Sequence, residues 1–265
     1  MAAQDLTATV AGRTMRMSES ARVNAIRIGT ALAVWLAWEA LARSGLLYQG
    51  VIPSSVAVFE SIWKHLADAS FYRHAERTFY EVAAGATIGS LLGLAVGILT
   101  GQLRVVGRAV EVYINVLAPT PKIVFLPLLM IMFGVDFGSK VALGAASAFF
   151  PVSVATLAAI RLVNPVLIKV GQSFNASLWQ MVRKVYLPAM MQPLVSGLRL
   201  GLGVAIIGVL LAEIKLSNVG LGHLAIDYYN AFRIADMYAV LLITFSLAVG
   251  ANALIGALAR RMQQD

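Results

Sequence analysis

Three stretches of this chain carry no charged side chain for 20 residues or more: 82–103, 141–160 and 237–258. An apolar run of about 20 residues is what a helix needs to cross the hydrocarbon core of a bilayer. In lipid, every backbone N–H and C=O must be satisfied within the protein. Barrel strands would alternate apolar and polar residues over about ten positions. These runs are continuous instead, so they read as helices. Three further spans hold charge. Residues 28–47 contain Glu39 and Arg43, four apart with the acid first, the favourable order for a helical ion pair. Residues 112–135 contain only Lys122, and residues 194–212 contain only Arg199, near the start, where a long side chain can reach the headgroups. The reading is an all-α integral membrane protein of about six transmembrane helices.

Composition agrees. The chain is 59% hydrophobic and 13% charged, where a soluble domain is about half apolar and about a quarter charged. This rules out disorder and argues against an ordinary soluble domain. The absence of cysteine excludes disulfides and thiolate metal centres. The three histidines, His65, His74 and His223, are far apart in sequence and suggest no ligand pair, so no metal site and no catalytic residue is expected. Net charge is +8, and its distribution matters more than its sum. With the N-terminus inside, the inner side holds Arg13, Arg16, Arg22, Arg27, Arg104, Arg108, Arg161, Lys169, Arg183, Lys184, Arg260 and Arg261, with Arg199 at the boundary. The outer side holds Arg43, Lys64, Arg73, Arg77, Lys140, Lys215 and Arg233. That bias places both termini in the cytoplasm. Interrupted by apolar spans, the positive residues suit anionic lipid headgroups rather than nucleic acid. The first apolar stretch has no convincing cleavage site, so it reads as a retained helix. The division is a cytoplasmic tail at 1–27, a membrane domain at 28–261 and a short tail at 262–265.

Several features go beyond spanning. Gly85, Gly89, Gly93, Gly97 and Gly101 recur every four residues and form one stripe, a face that lets another helix approach closely. Gly197 and Gly201 repeat this more weakly. The third span reads Pro119-Thr120-Pro121-Lys122-Ile123-Val124-Phe125-Leu126-Pro127; its three prolines remove donors and break the helix, and a broken helix in a bilayer must face protein or a wet cavity. Lys122 in that break is either a pathway-lining cation favouring anionic solutes or a structural lysine paired with freed carbonyls. Pro151 adds a kink to the fourth span. Glu213, at the outer end of the fifth, is either a gate or a solvated carboxylate. With Pro121, Lys122 and Pro127 it makes up the candidate translocation pathway. The outer connection 48–81 carries Phe59, Ile62, Trp63 and Leu66 on one helical face, which suits a helix at the interface or one packed on the bundle.

The inner connection 161–193 is unusually long. It is helix-compatible over about 165–174 and again over about 177–186. Pro165 suits a first turn, Asn175 suits a left-handed break, and Leu187-Pro188 suits an end to the second piece. A helix–turn–helix on the cytoplasmic side invites a partner. No G-x-x-x-x-G-K-[ST] loop occurs anywhere in the chain, so any ATP must be handled by another protein.

This loop resembles the motif of ABC importer permeases, in which a Glu-Ala-Ala triplet precedes a glycine six residues after the glutamate and an Ile-x-Leu-Pro follows. The stretch here runs Lys169-Val170-Gly171-Gln172-Ser173-Phe174-Asn175-Ala176-Ser177-Leu178-Trp179, then Val185-Tyr186-Leu187-Pro188. The Ala-Ser-x-Trp and Leu-Pro parts match. Lys169 and Asn175 stand in place of the motif glutamate and glycine. The rest, over about 53–261, resembles the nitrate/sulfonate/taurine branch of type I, binding-protein-dependent permeases. Its supporting stretches are Pro121-Lys122-Ile123, Leu126-Pro127-Leu128, Phe133-Gly134, Ser139-Lys140, Phe149-Phe150-Pro151, Gly197-Leu198-Arg199-Leu200-Gly201, Ala212-Glu213 and Gly220-Leu221-Gly222.

The resemblance implies a permease subunit of the bacterial inner membrane, paired with a second and identical copy. Two cytoplasmic ATPase subunits would hold the ATP and Mg2+, and an extracytoplasmic solute-binding protein would deliver the solute. No cofactor is expected on this chain. The helix over about 165–174 would be the coupling helix, and transport would proceed by alternating access. In the family the motif glutamate faces a basic residue of the ATPase, so Lys169 implies an acidic residue there. The branch points to a sulfonate, taurine or nitrate. The rivals are an ATP-independent channel or secondary carrier, which has no use for the long inner helix pair, and a membrane-embedded enzyme, for which the spans supply no convergent catalytic groups.

Overall fold

A computed structural model of the chain describes residues 19–45 and 51–262. Most of the expected N-terminal tail, with Arg13 and Arg16, lies outside the described residues, as do Tyr48 and residues 263–265. The chain divides into two compact units, Met1–Ala57 and Val58–Asp265.

In the first unit, helix α1 runs over Glu19–Arg43. The Glu39–Arg43 pair forms at 2.6 Å. The same carboxylate also accepts from the backbone N–H of Ser55 at 3.0 Å and from its hydroxyl at 2.8 Å, and the Trp38 indole donates to Pro53 O. Helix α2, Ser55–Ala67, begins at that carboxylate. It buries Val58 and His65 and leaves Phe59 and Trp63 exposed, so one face packs while the other is free for the interface.

The second unit is all-helical among its described residues. It contains α3 (Ala69–Gln102), α4 (Arg104–Leu117), a 3-10 turn (Lys122–Phe125), α5 (Leu126–Phe133), α6 (Phe137–Arg161), α7 (Pro165–Ser173), α8 (Leu178–Met181), a π turn (Val182–Tyr186), α9 (Leu187–Ala189), α10 (Met191–Leu216), α11 (Leu221–Asn230) and α12 (Ile234–Met262). Over the whole chain, α1, α3, α6, α10 and α12 are each long and apolar enough to cross a membrane. The bent pair Gly107–Leu117 and Lys122–Phe133 makes a sixth span if taken as one. Its two arms meet at 96°, and the break falls where the three prolines stand.

The glycine stripe sets the core. Along α3, Gly85 lies against Val141 and Ala145, Gly93 against Phe149 and Val152, Gly97 against Thr156, and Gly101 against Ile160 of α6. Numbers rise together on both helices, so α3 and α6 run parallel. A Cβ on Gly93 would sit 2.7 Å from Phe149 O, so only glycine permits this approach. Along α10, Gly197 meets Ala155 while Gly208 meets Ser147, so α10 runs antiparallel to α6. One end of the bundle therefore gathers the starts of α3 and α6 and the finish of α10 (the clamp end). The other gathers their opposite termini and the 162–190 connection (the loop end). Arg199 Nε donates to Asn252 Oδ1 at 2.6 Å, while Asp236 reaches His65 of α2, so α12 also finishes at the loop end, with Arg260 and Arg261.

Helix α3 begins thirteen residues before the charge-free stretch. Asp68 caps it by accepting from Ser70 N at 2.9 Å, and this bond with that from the Ser70 hydroxyl holds the carboxyl below its usual range. Charged residues assigned to an outer connection thus lie within a long membrane helix.

Candidate functional site

The loop end carries a helix–turn–helix built from local rules. Asn164 caps α7 by accepting from Val166 N at 2.9 Å, and Pro165 occupies the first turn, where its missing N–H costs nothing. The exit is a Schellman motif. Asn175 adopts φ +52°, its N–H donates to Gln172 O at 2.9 Å, and Ala176 N–H donates to Gly171 O at 3.1 Å. Ser177 and Gln180 then form a reciprocal box: Ser177 N donates to Gln180 Oε1 and Gln180 N to Ser177 Oγ. A side chain at Gly171 would strike Met181, so α7 lies directly on α8. Ala159, Ile160, Val163, Met181, Val182, Tyr186 and Met190 form a buried cluster that seats the pair on the end of α6. Burial raises the Tyr186 phenol above its ordinary value.

The second helical piece does not end at Leu187-Pro188. The π turn passes into α9, with Pro188 in its first turn where no donor is needed, and the chain breaks at Met190 instead. Facing outward are Val166, Val170, Phe174 and Trp179, with Phe174 82% exposed, and among them the exposed Lys169, Arg183 and Lys184. Arg161, the last residue of α6, grips Glu111 of α4 bidentately at 2.8 and 2.5 Å, linking this segment to the broken span.

In that span, α4 ends at Leu117, Thr120 N donates to Leu117 O, and Pro121 leads into the 3-10 turn. Pro127 sits in the first turn of α5. The Lys122 ammonium donates to Leu117 O at 2.9 Å, Ala118 O at 2.6 Å and Thr120 O at 2.7 Å, and lies 4.5 Å from the centre of the Phe150 ring. It thus caps the carbonyl end of α4, where a cation is favoured.

The clamp end holds a group of charges for which the sequence carried no periodic signal. Lys140, counted above only among the cations of the outer side, is buried. Its side chain is 0% exposed and donates to Glu81 Oε1 at 3.0 Å, Ser217 Oγ at 2.8 Å and Asp136 Oδ1 at 3.3 Å. Arg77 reaches the same Glu81 at 2.7 Å and Asp136 at 2.5 Å. Desolvation opposes ionisation of Asp136, but its hydrogen bonds to Arg77 and Lys140 outweigh this and hold its carboxyl low. Of the two readings of Glu213, the solvated carboxylate is corrected: its side chain is 0% exposed. It accepts from Thr78 Oγ1 at 2.6 Å and from Gly222 N at 2.7 Å, tying α3 and α11 to α10. Gly220, at φ +134°, leaves room for that carboxylate. His74 and His223, distant in sequence, stack with centroids 6.3 Å apart, yet no group of three metal-ligating side chains occurs among the described residues.

Residues 89–264 match the family described as "Binding-protein-dependent transport system inner membrane component". The chain is 30% identical over 190 residues to the "Putative aliphatic sulfonates transport permease protein SsuC" of Bacillus subtilis strain 168, covering 72% of this chain and 69% of that one. It is 28% identical over 239 residues to the "Taurine transport system permease protein TauC" of Escherichia coli K12, covering 86% of each. Among solved structures, an inward-facing conformation of the MetNI methionine ABC transporter superposes with a TM-score of 0.63 at 21% identity, over 73% of this chain and 94% of that chain.

Proposed function

The chain belongs to the family of binding-protein-dependent transport system inner membrane components, and from that premise we infer that the solute it passes inward is a small anion of the sulfonate, taurine or nitrate kind. It is the permease subunit of an ABC importer, a multi-pass inner-membrane protein, and ATP hydrolysis belongs to a separate subunit. In this reading the loop end faces the cytoplasm and both termini lie there. The concentration of Arg104, Arg108, Arg161, Lys169, Arg183, Lys184, Arg260 and Arg261 at that end supports the orientation.

Two copies of the chain enclose the pathway, and the break at Pro121, Lys122 and Pro127 contributes to its wall. ATP and Mg2+ sit on the paired ATPase subunits, and a solute-binding protein docks at the clamp end. Helix α7, with Lys169, Val170, Gly171 and Phe174, is the part an ATPase grips, and the turn through Asn175, Ala176 and Ser177 with Leu187-Pro188 keeps it rigid. ATP closes the ATPase pair because it binds the closed form better, and the permease exchanges inward-open for outward-open packing. The observation that carries the reading is the locked helix–turn–helix seated at the cation-rich end of the second unit's spans.

The test is uptake into proteoliposomes holding this chain, its ATPase and its binding protein. Taurine, an alkanesulfonate and nitrate should be compared with ATP and with a non-hydrolysable analogue. ATP-dependent accumulation of one of these anions is expected. Accumulation by the permease alone would overturn the importer reading, and uptake confined to a cationic solute would overturn the anion.

A further inference from the structure

Helices α10 and α12 bring two polar rows together at the loop end. On α10, Gln192, Ser196 and Arg199 follow at steps of four and three; on α12, Asn252, Gly256 and Arg260 follow at steps of four. Such steps put each set on one helix face. Between the rows lies a groove of about 480 Å3, whose walls include Gln192, Ser196, Arg199, Gly256 and Arg260. Both guanidinium groups turn over its floor. A Cβ placed on Gly256 would lie 3.5 Å from Arg199 Nη1 and 3.7 Å from Arg260 Nη1. Glycine leaves that floor open, and two like charges from separate helices converge above it. Arg199 Nε donates to Asn252 Oδ1 at 2.6 Å, a neutral partner that orients the guanidinium without cancelling its charge. No described carboxylate forms an ion pair with Arg199 or Arg260. The described carboxylates nearest to them in sequence, Glu213 and Asp236, are both engaged at the clamp end. Like charges held this close repel unless an anion sits between them.

We propose that this groove binds the phosphate of an anionic phospholipid, phosphatidylglycerol or cardiolipin, with Arg199 and Arg260 donating to it from two sides. Guanidinium groups match phosphate oxygens in charge and in donor geometry. Gln192 adds an amide at the exposed rim. A soluble phosphate carries the same chemistry, but the setting favours a lipid. Both helices are long and apolar enough to cross a membrane, and the groove lies near the ends of the two, where headgroups sit. Leu200, beside Arg199 on α10, and Leu254 and Leu258 on α12 are exposed, so apolar surface for acyl chains continues on both helices at this depth. A lipid held there joins α10 to α12 and stabilises the folded chain by mass action. The site acts whatever solute the chain carries.

The experiment uses the full-length chain purified in a neutral detergent. Lipid retention is read by native mass spectrometry, and the melting temperature is followed as lipid is added. Dioleoylphosphatidylglycerol and cardiolipin should be retained and should raise the melting temperature. Dioleoylphosphatidylethanolamine, whose ammonium offsets its phosphate, and inorganic phosphate should do neither at equal concentration. Arg199→Gln with Arg260→Gln should weaken phosphatidylglycerol binding on the order of ten-fold or more. Arg261→Gln removes an equal charge one position outside the groove and should weaken it far less. Should the double variant melt early without lipid, through loss of the Arg199–Asn252 bond, Arg260→Gln alone takes its place. Wild-type affinity in the folded variant overturns the proposal. Equal weakening by Arg261→Gln overturns it too, because diffuse charge then accounts for the binding. Stabilisation by inorganic phosphate that matches the lipid's assigns the groove to a soluble anion and overturns the lipid.

Discussion

Lys140 Nζ lies 3.0 Å from Glu81 Oε1, and neither side chain reaches solvent. The pair joins two parallel helices at their starting ends, with Ser217 and Asp136 completing the shell of the ammonium. Burying two charges is costly, and removing one partner leaves the other stranded.

Lys140→Met should therefore destabilise the protein by about 3–5 kcal/mol, the range for breaking a buried pair. Lys140→Met combined with Glu81→Leu should recover much of that loss. Thermal unfolding of detergent-solubilised protein measures it, and strictly additive effects of the two changes would contradict the pairing.

The glycine stripe allows a sharp contrast within the membrane. Gly93→Val drives a side chain into the Phe149 carbonyl and should cost about 1–3 kcal/mol or more, the cost of overpacking. Gly203→Ala, where nothing lies within 4 Å, should be neutral or slightly stabilising. Equal effects at the two sites would mean that α3 and α6 are not in backbone contact.

Acid should loosen the clamp end through His65. Its imidazole is buried between Phe71 and Tyr228, with Asp236 at 3.1 Å. Desolvation holds its pKa below the ordinary 6.5, aided by Arg233 and Lys64 and opposed by Asp236. The unfolded chain then takes up a proton the folded one refuses, so this contribution is whole above about pH 6.5 and is lost as pH falls through the folded value. Melting temperatures followed from about pH 7 down to about pH 5 should drop more steeply for wild type than for His65→Phe, which keeps the ring stack. Parallel curves would remove His65 as the cause.

Arg161 and Glu111 tie the gripped segment to the broken span. Glu111→Arg should lower ATP-driven uptake while leaving ATPase turnover in the complex, because the motor then moves without the span. The reversed pair, Glu111→Arg with Arg161→Glu, should restore uptake. Failure of that rescue, with both proteins folded, would confine the pair to a surface contact of about 0–1 kcal/mol.

The spans were legible because lipid demands continuous apolar runs. The turn at Asn175 was legible because left-handed backbone selects few residues, and it adopts that conformation here. The start of α3 was hidden. Arg73, Glu76, Arg77 and Glu81 read as a hydrated connection, and their place in a membrane helix depends in part on Asp136 and Lys140, more than fifty positions away. Burial of Lys140 and Glu213 was illegible for the same reason: a buried charge is recognised by its partner, and partners brought together by tertiary packing leave no period in the chain. The 96° bend was half legible, since prolines mark a break but not its angle.

Because five glycines of α3 face α6 in strict four-residue steps, that contact works as a ratchet tooth-count. One residue inserted between Gly85 and Gly101 would turn everything beyond it by about 100° and swing the remaining glycines away from their partner. From Gly85 to Gly101 the register admits no insertion or deletion.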